Sequence, residues 1–182
     1  MMSAVHFFDE AVLRFFQDNV RCAFLNPIMR GASLIGDMGL FWIVLCLILI
    51  AFKKTRRGGF ITLVSLAAEF CICDLVIKRL VQRTRPYLAL DWLELIAHAE
   101  TSWSFPSGHS ASSFVCAYVL TRAFGKWGAL SYIPATLIAV SRVYVGVHFP
   151  TDVLAGMALG TIVGAVCWGI AGRISGREKT GK

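Results

Sequence analysis

Apolar residues run along this chain in five long blocks separated by short charged stretches: residues 36–52, 58–77, 105–121, 127–147 and 153–172. Each block approaches the ~20 mostly apolar residues that a bilayer-crossing helix needs, so the pattern predicts five transmembrane spans. The first is uncharged after Asp37, and the second carries Glu69 and Asp74. The third holds only His109, the fourth has Arg142 near its end, and the fifth has no charge. Two further stretches are amphipathic. Near the N-terminus Val5, Phe8, Val12, Phe15 and Phe16 recur at helical spacing, with Asp9, Arg14 and Asp18 between them. That predicts a helix lying on the membrane surface. Residues 87–103 repeat the pattern more weakly, Leu88, Trp92, Leu95 and Ile96 standing against Asp91, Glu94 and Glu100, and predict a cover over whatever lies beneath. The expected fold class is an all-α integral membrane protein of five to six helices, five spans plus an N-terminal interfacial helix, in one domain over residues 1–182.

Charge orients this arrangement. Lys53, Lys54, Arg56 and Arg57 separate the first two spans, Arg122 and Lys126 the third and fourth, and Arg173, Arg177, Lys179 and Lys182 follow the fifth. With five spans these fall on one side, which the positive-inside tendency makes cytoplasmic, with residues 173–182 as a solvated cytoplasmic tail. The other side receives the N-terminal segment, the 78–105 loop and the turn at 146–152.

Composition changes little in this picture. The chain is 57% hydrophobic with a formal charge of +7, against roughly 45–50% apolar for a soluble domain. Basic loops account for the charge, and a soluble nucleic-acid-binding domain is excluded. The six cysteines, mostly inside apolar runs, match no zinc or disulfide pattern. Asp9, Glu10 and Arg14 interrupt any signal-peptide core. Gly156, Gly160 and Gly164, spaced by four in the fifth span, predict close helix packing within the chain or a homodimer face.

Three clusters carry chemistry, all at extracytoplasmic span ends. Lys78 and Arg85-Pro86 follow the second span, Pro106-Ser107-Gly108-His109 opens the third, and Ser141-Arg142, His148 and Asp152 close the fourth and open the fifth. Ionisable groups in such positions are costly and mark function. Lys78, Arg85 and Arg142 offer positive charge and guanidinium forks that match phosphate oxygens. Ser107 is a plausible N-cap, leaving the Gly108 and His109 amides at a helix N-terminus, where anions bind well. His148 and Asp152, four apart, share a face if the fifth helix begins before His148, and the carboxylate would fix the imidazole tautomer. His109 is a second titratable nitrogen. Alone, Pro106 and Ser107 would mark only a helix start, and His148 with Asp152 only a structural hydrogen bond. Together the three clusters form a cationic cradle, a paired nucleophile and a separate acid/base, which phosphoryl transfer needs.

These residues resemble the signature of the type 2 phosphatidic acid phosphatase family: Lys, six residues, Arg-Pro; Pro-Ser-Gly-His; then Ser-Arg, five residues, His, three residues, Asp. The match spans residues 78–152 without departure. The resemblance implies that His148 is the nucleophile, forming a phosphohistidine with Asp152 as its partner. It implies that His109 protonates the leaving oxygen and later activates water. Lys78, Arg85, Ser107, Gly108 and Arg142 would bind the phosphate, supported by Asp74, Pro106 and Ser141. No metal and no cofactor are expected. Small bacterial members most resemble undecaprenyl pyrophosphate phosphatases of the inner (cytoplasmic) membrane, which recycle the cell-wall carrier lipid with the site facing the periplasm. Phosphatidylglycerol phosphate, phosphatidic acid and lipid A phosphatases stay open as alternatives. A phosphate transporter predicts charges near the midplane and internal repeats, and the sequence has neither. Arg79 and Arg83, outside the signature, read as a basic patch for anionic lipid heads, and as candidates for a second phosphate. Asp74, one turn before Lys78, is placed to hold its ammonium.

Overall fold

The computed structural model describes residues 4–180, with side chains up to 174. All regular structure among them is helical. α1 (Ala4–Phe15) continues through a π-helical turn, Phe16–Val20. The sides of α1 are apportioned with an inversion: Val5, Phe7 and Phe15 face outward, while Asp9 and Leu13 are buried. Its apolar face is thus left exposed, and one acid points into the protein.

α2 (Leu25–Ile35) was not separated from loop by the block pattern. It meets α3 (Leu40–Ala51) across a bend of 50°, where Met38 and Gly39 adopt φ of 49° and 67°. α4 (Arg56–Phe70) passes through the π-helical segment Cys71–Ile77 into α5 (Lys78–Val81), which stops where Gln82 turns left-handed at φ 48°. α6 (Pro86–Ala89) is one turn. α7 (Gly108–Phe124) is followed by the short α8 (Lys126–Ala129), then α9 (Tyr132–Tyr144) and α10 (Pro150–Thr180).

Two of these stretches are long and apolar enough to cross a membrane, Arg56–Ala89 and Pro150–Ile174, and the bent α2–α3 pair supplies a third if it is one span. By length and composition alone, two or three of the expected five spans are thus recognisable among the described residues. The third and fourth blocks form helices of 17 and 13 residues. α4, α9 and α10 pack around α7, and most of its residues, including Ser110 and Ser113, are buried. The fourth block breaks between α8 and α9, just before Pro134, a residue that fits only the first turn of a helix. α10 runs on through Thr180, so the stretch expected as a tail prolongs that helix.

The most extensive helix contact is between α7 and α10. A Cβ on Gly156 would lie 2.4 Å from the Ser107 carbonyl oxygen, and one on Gly160 would lie 2.2 Å from that of Ala111. The glycine stripe packs against α7 within the chain.

Candidate active site

The spacing of the first cluster follows from backbone geometry. Lys78 stands on the last helical turn before Gln82 stops the helix, and Arg85 lies in the extended segment before Pro86, at ψ 151°, as a residue preceding proline prefers. Lys78 Nζ sits 2.6 Å from Asp74 Oδ1, one turn earlier. Ser107 caps α7, its hydroxyl accepting from the Ser110 amide at 3.4 Å and the Ser110 hydroxyl at 3.0 Å. Gly108 lets this terminus approach the pair: a Cβ there would be 3.3 Å from Asp74 and 3.4 Å from Lys78 Nζ.

His148 is outside α10, because that helix begins at Pro150, whose ring suits the first helical position. The shared-face expectation is thus replaced by a capping one. Asp152, in the first turn, reaches back so that Oδ2 accepts from the Phe149 amide at 2.9 Å and from the Ser104 hydroxyl at 2.5 Å. The same oxygen lies 3.6 Å from His148 Nδ1. Nδ1 therefore carries the proton, and Nε2 presents its lone pair 3.2 Å from Arg85 Nη1. Burial, with the positive charges of Arg85, Arg142 and Lys78, holds the His148 imidazole well below the usual histidine pKa. The ring is neutral.

Arg85 and Arg142 complete the cradle. Arg85 donates to the carbonyls of Ser102 at 2.8 Å and Val147 at 3.0 Å, and to the Ser102 hydroxyl at 2.9 Å. Arg142, on α9, donates to the Ser33 hydroxyl of α2. Both guanidiniums hold one carboxylate, that of Glu100, 2.5 Å from Arg85 Nη2 and in direct contact with Arg142. The cover segment thus places an anion where the cations converge. His109 Nε2 is buried without a hydrogen-bond partner, at a point where two cavities meet. One of about 460 Å³ runs past Lys78, Asp74 and Glu69 to Leu63, Leu66, Phe70 and Met38. The other, about 310 Å³, passes Arg142 and Glu100 to Arg30 and His98.

Of the remaining expected residues, Pro106 follows a cis peptide bond beside the cap. Ser141 bonds its own helix at the Ile138 carbonyl, 2.6 Å away, rather than the site. Arg83 overturns the lipid-head reading. It turns inward onto Asp152 at 2.5 Å and Asp9 at 2.6 Å, because two buried carboxylates attract it more than solvated headgroups can. Ser33, Ser102, Ser104 and Asp9 reach the site from elements that no short-range pattern joins to it. Glu69, Cys73 and Asp74 bring ligand atoms within 4.8 Å of one another, but the Lys78 ammonium already neutralises Asp74 there, so this is an ion pair rather than a cation site.

A profile described as PAP2 superfamily matches residues 58–175. The undecaprenyl-diphosphatase of Sulfolobus acidocaldarius is 36% identical over 140 residues, covering 76% of this chain and 67% of that protein. The decaprenylphosphoryl-5-phosphoribose phosphatase of Mycobacterium tuberculosis is 34% identical over 156 residues, 84% of this chain and 82% of that one. The crystal structure of the transmembrane PAP2 type phosphatidylglycerolphosphate phosphatase from Bacillus subtilis superposes with a TM-score of 0.75 at 32% identity, over 95% of this chain and 89% of that one.

Proposed function

The chain belongs to the PAP2 superfamily, and from that premise we propose that it is a membrane hydrolase cleaving the terminal phosphate of a polyprenyl pyrophosphate, undecaprenyl pyrophosphate first. One observation carries the reading: Arg85 and Arg142 jointly hold a carboxylate beside the Nε2 lone pair of a neutral His148. Substrate phosphate replaces the Glu100 carboxylate in that cradle, joined by Lys78 and the amides at the start of α7. His148 Nε2 attacks the terminal phosphorus; the N–P bond forms as the bond from that phosphorus to the bridging oxygen breaks, and His109 gives its proton to the departing oxygen of the polyprenyl monophosphate. Water then attacks the phosphohistidine while His109 takes a proton from it. The N–P bond breaks and inorganic phosphate leaves. Asp152 stabilises the imidazolium character that develops on His148, and the arginines stabilise charge on the phosphoryl oxygens. The lipid product follows the cavity lined by Leu63, Leu66 and Phe70.

Two of the similar proteins are named for prenyl-linked substrates and one for a glycerolipid. Arg83 is engaged by Asp9 and Asp152, so a second phosphate falls instead to the recess holding Arg30 and His98. The purified protein in nanodiscs, offered undecaprenyl pyrophosphate, phosphatidylglycerol phosphate, phosphatidic acid and lipid A, tests this. We expect kcat/KM roughly tenfold higher for the pyrophosphate than for phosphatidic acid, and Arg30→Gln should narrow that gap. His148→Ala should abolish turnover, and quenched wild type should carry acid-labile, base-stable phosphate. Fastest turnover of phosphatidylglycerol phosphate would remove the prenyl reading, and label on a serine would remove the mechanism.

A further inference from the structure

Arg83 stands outside the three sequence clusters, yet its guanidinium bridges two carboxylates that solvent does not reach. Nη1 lies 2.5 Å from Asp152 Oδ1 and donates to the Thr151 hydroxyl at 2.8 Å; Nη2 lies 2.6 Å from Asp9 Oδ2. Asp9, on α1, also accepts from the Thr151 amide at 2.9 Å and the Thr151 hydroxyl at 2.6 Å, in the first turn of α10. The Phe149 ring packs against the guanidinium, 4.0 Å from its centroid to the Arg83 carbon. Asp9 and Asp152 are both 0% exposed. The superfamily profile begins at residue 58, so Asp9 is supplied from outside the matched region.

We propose that Arg83 and Asp9 are positioning residues for the His148–Asp152 pair, fixing both the orientation and the charge of the Asp152 carboxylate. The proposal rests on reading His148 as the nucleophile. Asp152 divides its work by oxygen: Oδ1 is taken by Arg83, which leaves Oδ2 to Ser104, the Phe149 amide and His148 Nδ1. A carboxylate held at one oxygen cannot rotate the other away from the imidazole. The charge argument runs alongside. A buried charge without a partner is costly, and one guanidinium here serves two acids. Removing Arg83 takes away the guanidinium that bridges both buried carboxylates, frees Asp152 Oδ1 to rotate and makes a positive charge on His148 easier to form. Removing the charge of Asp9 has the opposite sign, because Arg83 then serves Asp152 alone.

The test compares pH–rate profiles of the full chain in nanodiscs, on a lipid phosphate that wild type hydrolyses, for Arg83→Gln, Arg83→Lys and Asp9→Asn, with His148→Ala as reference. The other groups facing His148 are Arg85 before α6, Arg142 on α9, Lys78 on α5, His109 on α7 and the Ser104 hydroxyl. All are kept in every variant. Arg83→Gln is expected to lower kcat roughly 10–100-fold with KM little changed, and to move the acid limb of kcat/KM up by about one pH unit. Asp9→Asn should move that limb down, and Arg83→Lys, which keeps the charge but loses the fork, should return it to its wild-type position. The proposal is overturned if the Arg83→Gln limb coincides with wild type, or if both neutralising variants move it the same way. Should Arg83→Gln not fold, Asp9→Asn decides alone: a downward shift supports the proposal and an unmoved limb ends it. Turnover by His148→Ala would instead mean that the reading of the site had failed, whatever the other variants do.

Discussion

At the scale of single residues, Glu100 and His148 set the terms on which phosphate enters. Glu100 holds both arginines of the proposed phosphate cradle, so on that proposal it competes with incoming phosphate. Glu100→Gln should therefore tighten inhibition by orthovanadate roughly tenfold, about 1.4 kcal/mol, seen as a lower inhibition constant; an unchanged constant would show that the carboxylate leaves the cradle freely. His148 gives a pH dependence. Its pKa is held below the ordinary value of about 6.5 by burial and the neighbouring cations, and the neutral ring is the active form. After correction for substrate ionisation, kcat/KM should hold level through pH 6.5 and fall only well below it. The same shift has a stability consequence: below about 6.5 the unfolded chain takes up a proton that the native ring refuses, so this contribution is complete above that pH and declines as pH falls. The signature residues were legible because their spacing is local and their chemistry unusual. Glu100, Ser104 and Asp9 were not, since their partners lie 42, 48 and 142 positions away. Arg83 was misread for a related reason: an arginine beside a membrane looks alike in sequence whether it faces headgroups or two buried acids.

At the scale of elements, the α7–α10 contact holds the α7 N-terminus, proposed to bind phosphate, against the turn that carries His148. The Ser107 amide donates to the Asp152 carbonyl at 3.0 Å, so a shift between these helices moves cradle and nucleophile apart. Gly160→Val should destabilise the protein by about 2 kcal/mol, measured as a lowered Tm in detergent, whereas Gly172→Ala, which meets nothing within 4 Å, should leave Tm in place. A Gly160→Val variant melting with wild type would mean that the helices tolerate separation. Apolar blocks located α4 and α10 well because both meet lipid along much of their length. They overextended α9, since a packed helix can be short, and displaced α7 by three residues, since hydropathy does not distinguish lipid from a neighbouring helix. The π-helical segment Cys71–Ile77 and the bend at residues 36–39 leave no periodic trace either, because each displaces a register by one residue or fewer turns than a window can resolve.

At the scale of the whole molecule, the catalytic groups gather at one end, under the segment that carries Glu100. Gln17 and Arg21, after α1, pin that segment through the Trp92 carbonyl at 3.0 Å and the Glu94 carbonyl at 2.7 Å, while Arg21 also holds the Tyr144 carbonyl at 2.9 Å. The N-terminal helix is thus part of the site's frame. If basic loops face the cytoplasm, this end faces outward. In a background with native cysteines replaced by serine, Asp91→Cys should react with an impermeant maleimide in intact cells and Lys54→Cys should not; the reverse pattern would invert the orientation.

The larger cavity reaches the lateral surface between α3 and α4, where Met38 and Phe70 are 89% and 54% exposed. A substrate arriving that way is drawn from a two-dimensional pool, so the quantity that saturates the enzyme is its mole fraction in the leaflet rather than its bulk concentration. Diluting the substrate with inert detergent at fixed total amount should slow turnover in proportion, and a short-chain water-soluble analogue should escape that dependence.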